Sequence, residues 1–168
     1  MTVDEYLRAH FDGADHDFVE GEVFERNKGE AEHSIVQGEL IRRLFAASAA
    51  LGLEVRPEIR LQTLPNRFRV ADIAVWRAPA APWRGIAASA PFLVIEILSP
   101  EDRMVRVQPK VQEYLSMGAS FVWVVDPYER QALVYTSDAP GGPASATLDT
   151  RAPDLSIELS DLWAALDA

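Results

Sequence analysis

FLVIEILSPEDR, residues 92–103, is the stretch on which the fold turns. Residues 92–98 are apolar apart from Glu96 and rich in β-branched side chains, which predicts a buried strand. A Ser-Pro break follows Glu96 within three residues, so the strand end opens into a loop that a ligand can approach. Downstream, Gly118 ends a helix and FVWVVD at 121–126 reads as another strand. A strand, a helix and a strand in succession require a crossover, which implies a parallel pair.

Working outward, LEVRPEIRLQ and RFRVADIAVW flank TLPN, a turn signal, and predict a β-hairpin. With Pro65 and Asn66 at the turn centre, residues 59, 61, 70 and 72 share one face and 56, 58, 60, 67, 69 and 71 the other, which sorts Ile59, Leu61 and Val70 from Arg56, Arg60, Arg67 and Arg69. Those arginines are therefore expected on a solvated or helix-paired face, with DNA binding as the lesser alternative. Upstream, Thr2 and Glu5 fit a capping box for a first helix through about Ala9. DFVEGEVFE, around Gly21, reads as a tight hairpin. From Glu32 the period changes: Ile35, Val36, Leu40, Ile41, Leu44, Phe45 and Leu51 mark one face of a long helix that Gly52 should end. RAPAAPWRGIAASAP at 77–91 is a long loop, mobile or functional. After the turn PYER comes strand QALVYTS, then the loop tip APGGPAS, and Ser160 is expected to cap a short final helix. The fold class expected is α/β (α+β): one domain over residues 1–168, built on a mixed sheet flanked by helices.

Composition narrows the function. No apolar run approaches the roughly 20 residues of a transmembrane helix. MTVDEYLRAH has no basic-then-apolar signal pattern, and the chain has no cysteine, so the expected location is cytoplasmic and no membrane partner is expected. The net charge of −10 is a handicap for binding DNA, whose affinity normally rests on basic contacts to phosphate. Of 16 basic residues only Lys28 and Lys110 are lysine.

Two acids stand inside apolar strands. Phe68, Val70, Asp72, Ala74 and Trp76 are expected on one face of their strand, and Phe92, Val94, Glu96 and Leu98 on one face of theirs. A buried carboxylate is costly unless paired, hydrogen-bonded or metal-bound, and a divalent cation with hard oxygen ligands is the simplest partner for two. Structural ion pairs to arginine, or backbone capping, are the plainer readings of each acid taken alone. Pro109 suits a first helical position, so the helix after Glu96 is expected to start at about Gln108 to Lys110, with Lys110 in an anion-attracting first turn. Tyr114, one turn later, reads as packing.

Two acids on adjacent strands followed by a basic residue resemble the PD-(D/E)XK nuclease superfamily. Over residues 15 to 136 the chain resembles the restriction-endonuclease-like family that is greatly expanded in cyanobacteria. The likeness is carried by DFVEGEVFE, EHSIVQGELIRRL, VADIAVW, VIEILSP, Lys110 with Tyr114, the Gly118 stop, and VWVVDP with VYT. It implies a restriction-endonuclease-like fold, with Asp72 and Glu96 as ligands of Mg²⁺ or Mn²⁺, a strand carbonyl near Ile97 completing the shell, and Lys110 in the part of the superfamily lysine. The usual lysine position is Leu98 here, and the lysine has moved to the next helix. His33 matches a frequent family histidine, a metal-shell or phosphate contact if it is not a capping or packing residue. Ala71 stands in place of the usual proline, Arg106 in place of a frequent aspartate, and Gln108 and Pro109 in place of a glycine-containing turn.

The activity expected is therefore metal-dependent DNA endonuclease cleavage. The alternative is a catalytically lapsed nuclease fold serving as a binding or assembly module. A third is an unrelated α/β domain whose acids form structural ion pairs. Apolar faces could also support a homodimer.

Overall fold

The computed structural model describes all residues except 14, 27, 28, 82, 83 and 103. Lys28 and two residues of the expected 77–91 loop, Pro82 and Trp83, thus lie outside the described residues. The capping box of Thr2 and Glu5 forms and starts helix α1 (Val3–Arg8). The hairpin is β1 (His16–Val19) with β2 (Glu22–Glu25), and the long helix is α2 (Ala31–Leu51), ended by Gly52 in the left-handed conformation at φ 61°. Its buried stripe is narrower than the sequence pattern: Val36, Leu40 and Leu44 are buried while Ile35 and Phe45 are exposed.

Strands β3 (Leu53–Leu64) and β4 (Arg67–Arg77) form the expected antiparallel hairpin, followed by β5 (Leu93–Ile97). Helix α3 (Met104–Met117) crosses over to β6 (Phe121–Asp126), which pairs in parallel with β5. Then come β7 (Gln131–Thr136), the two-residue β8 (Gly142–Pro143) within the expected loop tip, β9 (Thr147–Asp149), β10 (Ser156–Glu158) and α4 (Leu159–Leu166). The main sheet runs β2-β1-β4-β5-β6-β7-β8, with β3 on the other edge of β4, and is mixed. Helices α2 and α4 cover one face through Leu40, Leu44, Leu162, Val55, Ile73, Val75 and Trp123. Helix α3 covers the other through Val107, Val111 and Tyr114 against Ala74, Trp76, Val94 and Val122. The second half of the 77–91 loop is stitched to β3, with the Gln62 amide donating to the Ala87 carbonyl at 2.8 Å.

Four sequence expectations change. The hairpin register shifts between Gln62 and Leu64, so Arg60 faces Val70 and Leu61 faces Arg69. Arg60 accordingly lies over the Tyr6 ring and binds Asp15, parted from Arg67 and Arg69. Alternation also breaks at Asp72: Ala71 and Ala74 both belong to the α3 face, whereas Ile73 and Val75 belong to the α2 face. In and beside β5, Val94 and Leu98 share a face as expected, the one toward α3, but Phe92 packs on the other. Third, α3 starts at Met104, ahead of the expected start at Gln108 to Lys110, and Pro109 sits inside it. Proline there removes one helical hydrogen bond, which the burial of Val107, Val111 and Tyr114 outweighs, each side chain being worth about 2 kcal/mol. Lys110 is therefore in the second turn and has no share in a helix N-terminus. Fourth, Glu158 and not Ser160 occupies the cap position of α4, without a side-chain cap.

Candidate active site

The edge of β4 opposite β3 changes partner along its length. Ile73 to Val75 pair with β5, while Arg67 and Phe68 pair with β1. Residues 69–72 fall in the gap between the two partners, and side chains fill it. The Val70 amide donates to Asp17 Oδ1 at 2.8 Å, and the Ile97 amide donates to Asp72 Oδ2 at 2.7 Å. The broken alternation at Asp72 falls in the same stretch, between the two partners.

Asp72 and Glu96 are both buried, at 1% and 5% exposure, and each is met by a different set of cations. Arg26, just past β2, binds Asp72 Oδ1 through Nη2 and Glu58 Oε2 through Nη1, the latter at 2.6 Å. His33, in the first turn of α2, brings Nε2 to 3.5 Å from Asp72 Oδ2. Gly29 allows this placement, since a Cβ there would lie 2.7 Å from His33 Nδ1. Gln37, one turn on, donates to Glu58 Oε1 at 2.6 Å and to the Asp72 carbonyl at 3.3 Å. Glu96 faces α3, where the Tyr114 hydroxyl donates to Oε1 at 2.7 Å and Lys110 Nζ lies 3.4 Å from Oε2. Lys110 also pairs with Asp17 Oδ2 at 3.3 Å.

The structure thus brings Asp72, Glu96, Lys110 and His33 together. Of Ile97, the group seen to meet Asp72 is the N–H. Tyr114 does more than pack, and Arg26, Asp17, Glu58 and Gln37 were not singled out from sequence. In DFVEGEVFE the signal for Asp17 was weak, an acid followed at once by the apolar pair Phe18 and Val19.

The two acids titrate in opposite directions. Burial alone would raise the Asp72 carboxyl, but the His33 hydrogen bond, the Arg26 and His33 charges and the Ile97 N–H together hold it below the ordinary carboxylate range. Burial lifts Glu96 to about 7, Lys110 counteracts this, and the Asp72 charge adds to it. His33 is raised: burial works against its protonation, but the Asp72 bond and charge outweigh it. Near neutral pH burial thus leaves the Glu96 carboxyl only partly ionised.

A stability prediction follows for the protein in metal-free buffer. Glu96 binds its proton more tightly folded than at its ordinary value of 4.5, so stability falls as pH rises from there to about 7 and then levels off. Glu96→Gln keeps a neutral side chain at every pH. Its stability relative to the native chain should rise from about pH 5 to about pH 8, by on the order of 3 kcal/mol. Urea melts across that range measure the difference, and a pH-independent difference would refute the shift.

The donor chemistry fits a hard divalent cation: two buried carboxylates on adjoining strands, a pair of hard oxygen donors. Asp72 and Glu96 would hold it. Among the described residues, no three acidic, histidine or cysteine side chains already stand in a ligating group. Among the same residues, no helix is long and apolar enough to cross a membrane.

No curated protein matches the chain. A crystal structure described as "a putative nuclease belonging to DUF820 from Anabaena variabilis ATCC 29413" is similar over 99% of this chain and 99% of that one, with a TM-score of 0.88 and 23% sequence identity. At that identity the likeness speaks for the restriction-endonuclease-like mixed sheet and its flanking helices. A family model described as "Uma2: Putative restriction endonuclease" matches residues 3–167. The chain, matched along nearly its whole length, belongs to the Uma2 family.

Proposed function

We propose that the protein is a metal-dependent DNA endonuclease working at the gap between β1 and β5. The observation that carries this reading is the convergence of Asp72 and Glu96 from adjoining strands with Lys110 from the following helix. Bound at the two carboxylates, Mg²⁺ or Mn²⁺ would supply Lewis acidity to the scissile phosphate and to an attacking water. The chain's own part is positional. Asp72 is fixed by the Ile97 amide, and Glu96 by the Tyr114 hydroxyl, so both carboxylates are oriented before any ligand arrives. Lys110 is held between Glu96 and Asp17 with its side chain 17% exposed, where its ammonium can orient a water or offset the charge that builds on the phosphate. Net charge favours a metal requirement for binding as well as for chemistry, because an acidic centre on a chain of charge −10 repels DNA until it is neutralised.

The test is cleavage of supercoiled, linear and single-stranded DNA with Mg²⁺ or Mn²⁺, with a chelator control. Native protein should cut at least one of these only with metal, and Lys110→Ala should lose roughly a hundredfold in rate while still giving a cooperative thermal melt. Lys110→Ala cutting at the native rate would remove Lys110 from the mechanism.

A second reading is a nuclease fold that has lost hydrolysis and serves as a binding or assembly module. The observation favouring it is Arg26, whose guanidinium sits on Asp72 where a cation would be held. Native protein inert on all three DNAs and without measurable affinity for Mn²⁺ would select this reading.

A further inference from the structure

The two oxygens of Asp72 have different partners. Oδ2 accepts the Ile97 amide at 2.7 Å and faces His33 Nε2 at 3.5 Å. Oδ1 is held by Arg26. Oδ1 is therefore the oxygen through which Asp72 would ligate a cation, and it already carries one. Arg26 is no incidental surface residue, since its side chain is only 13% exposed and its fork spans two carboxylates, Asp72 on β4 and Glu58 on β3.

Glu58 is unusual in its own right. It lies across from Asp72, between the pairs Pro57 with Ile73 and Ile59 with Ala71, and has a left-handed φ of 47°. A non-glycine residue in that conformation costs on the order of 1 kcal/mol, which the surrounding contacts must offset. Those contacts are Arg26 and Gln37, each at 2.6 Å from a different Glu58 oxygen. β3 thus changes face at Glu58 just as β4 does at Asp72: Val55 belongs to the α2 side, and Leu61 to the α3 side.

We propose that Arg26 is a resident counter-cation which a divalent ion must displace from Asp72 Oδ1, and whose departure frees Glu58 as a further carboxylate for that ion. The proposal rests on the metal site described above. A guanidinium and a divalent cation on the same oxygen repel each other strongly in a buried setting, so occupancy is exclusive. Metal affinity is lowered by whatever free energy Arg26 gains from its two carboxylates, and Arg26 acts as a latch on the site.

The experiment is calorimetric titration of Mn²⁺ into the native protein, Arg26→Gln and Arg26→Lys. Arg26→Gln should bind Mn²⁺ at least about tenfold more tightly than the native chain. Arg26→Lys keeps the charge but cannot fork across two carboxylates, so its affinity should fall between the two. It also serves if Arg26→Gln is too unstable to isolate. In a parallel thermal melt, saturating Mn²⁺ should raise the Tm of the variants by more than that of the native protein. Equal or weaker Mn²⁺ binding by the variants, with the native protein binding, overturns the latch and leaves the metal site standing. If no form binds Mn²⁺, the metal site falls and the latch with it.

Discussion

Asp72→Ala is expected to reduce metal-dependent DNA cleavage by at least about a hundredfold and to lower folding stability at the same time. The two losses have separate causes. Cleavage falls because one of the two carboxylates that would hold the metal is gone. Stability falls because three groups lose a partner at once: the Ile97 amide, the His33 imidazole and one arm of the mostly buried Arg26. Breaking one side of a buried ion pair typically costs about 3–5 kcal/mol. Glu58 still holds Arg26, and Glu96 is relieved of a neighbouring charge, so the low end of that range applies.

Asp72→Asn separates the two effects. Asparagine keeps the volume and an oxygen that can accept the Ile97 amide, so it should recover much of the lost stability. It lacks the charge a hard cation needs, so it should cut DNA no better than Asp72→Ala. Cleavage by Asp72→Asn within tenfold of the native rate would refute the assignment of Asp72. If instead both variants merely melt earlier, and Mg²⁺ does not raise the Tm of the native protein, the two acids are structural and the nuclease reading fails.

Much of the site was legible because burial makes a lone acid conspicuous. In FLVIEIL, Glu96 stands in a run whose other members are apolar, and Asp72 stands among Val70, Ile73 and Val75. The parallel β5–β6 pair was legible for a similar reason, since a strand, a helix and a strand admit few other arrangements. The cations were legible only in part. Arg26 meets Asp72 across 46 residues, and Lys110 meets Asp17 from another element altogether. An arginine in a chain that is 25% charged gives no periodic signal, so its destination is fixed by the fold and not by its neighbours in sequence. The register shift between Gln62 and Leu64 was hidden because the turn TLPN fits the unshifted register equally well, and the shift moves Arg60 away from Arg67 and Arg69. Pro109 misled for a physical reason too: the apolar face of α3 outweighs a single missing backbone hydrogen bond.

Glu113→Ala is expected to destabilise the protein by about 3–5 kcal/mol, although Glu113 lies outside the carboxylate pair. From α3 it accepts Arg69 Nε at 2.8 Å and Nη2 at 2.7 Å, a two-pronged pair, and also Arg67 Nη1 at 3.1 Å and the Thr63 hydroxyl at 3.0 Å. Removing it leaves Arg69, 12% exposed, with the 3.3 Å contact to Asp17 as its ion pair among the described residues. Arg69 then competes with Lys110 for that carboxylate. This is where stability and function meet, because Asp17 is one of the two anions that hold Lys110 beside Glu96. A chemical melt should show the fall in stability, and Glu113→Gln should recover part of it by keeping acceptors for Thr63 and one arginine. Cleavage, measured well below the melting temperature, should fall far less than in Asp72→Ala, through looser placement of Lys110. A loss as large as that of Asp72→Ala in a fully folded Glu113→Ala would mean that the carboxylate takes part in the chemistry directly. A stability change under about 1 kcal/mol would mean that the network on α3 is solvated and contributes little, as exposed ion pairs commonly do.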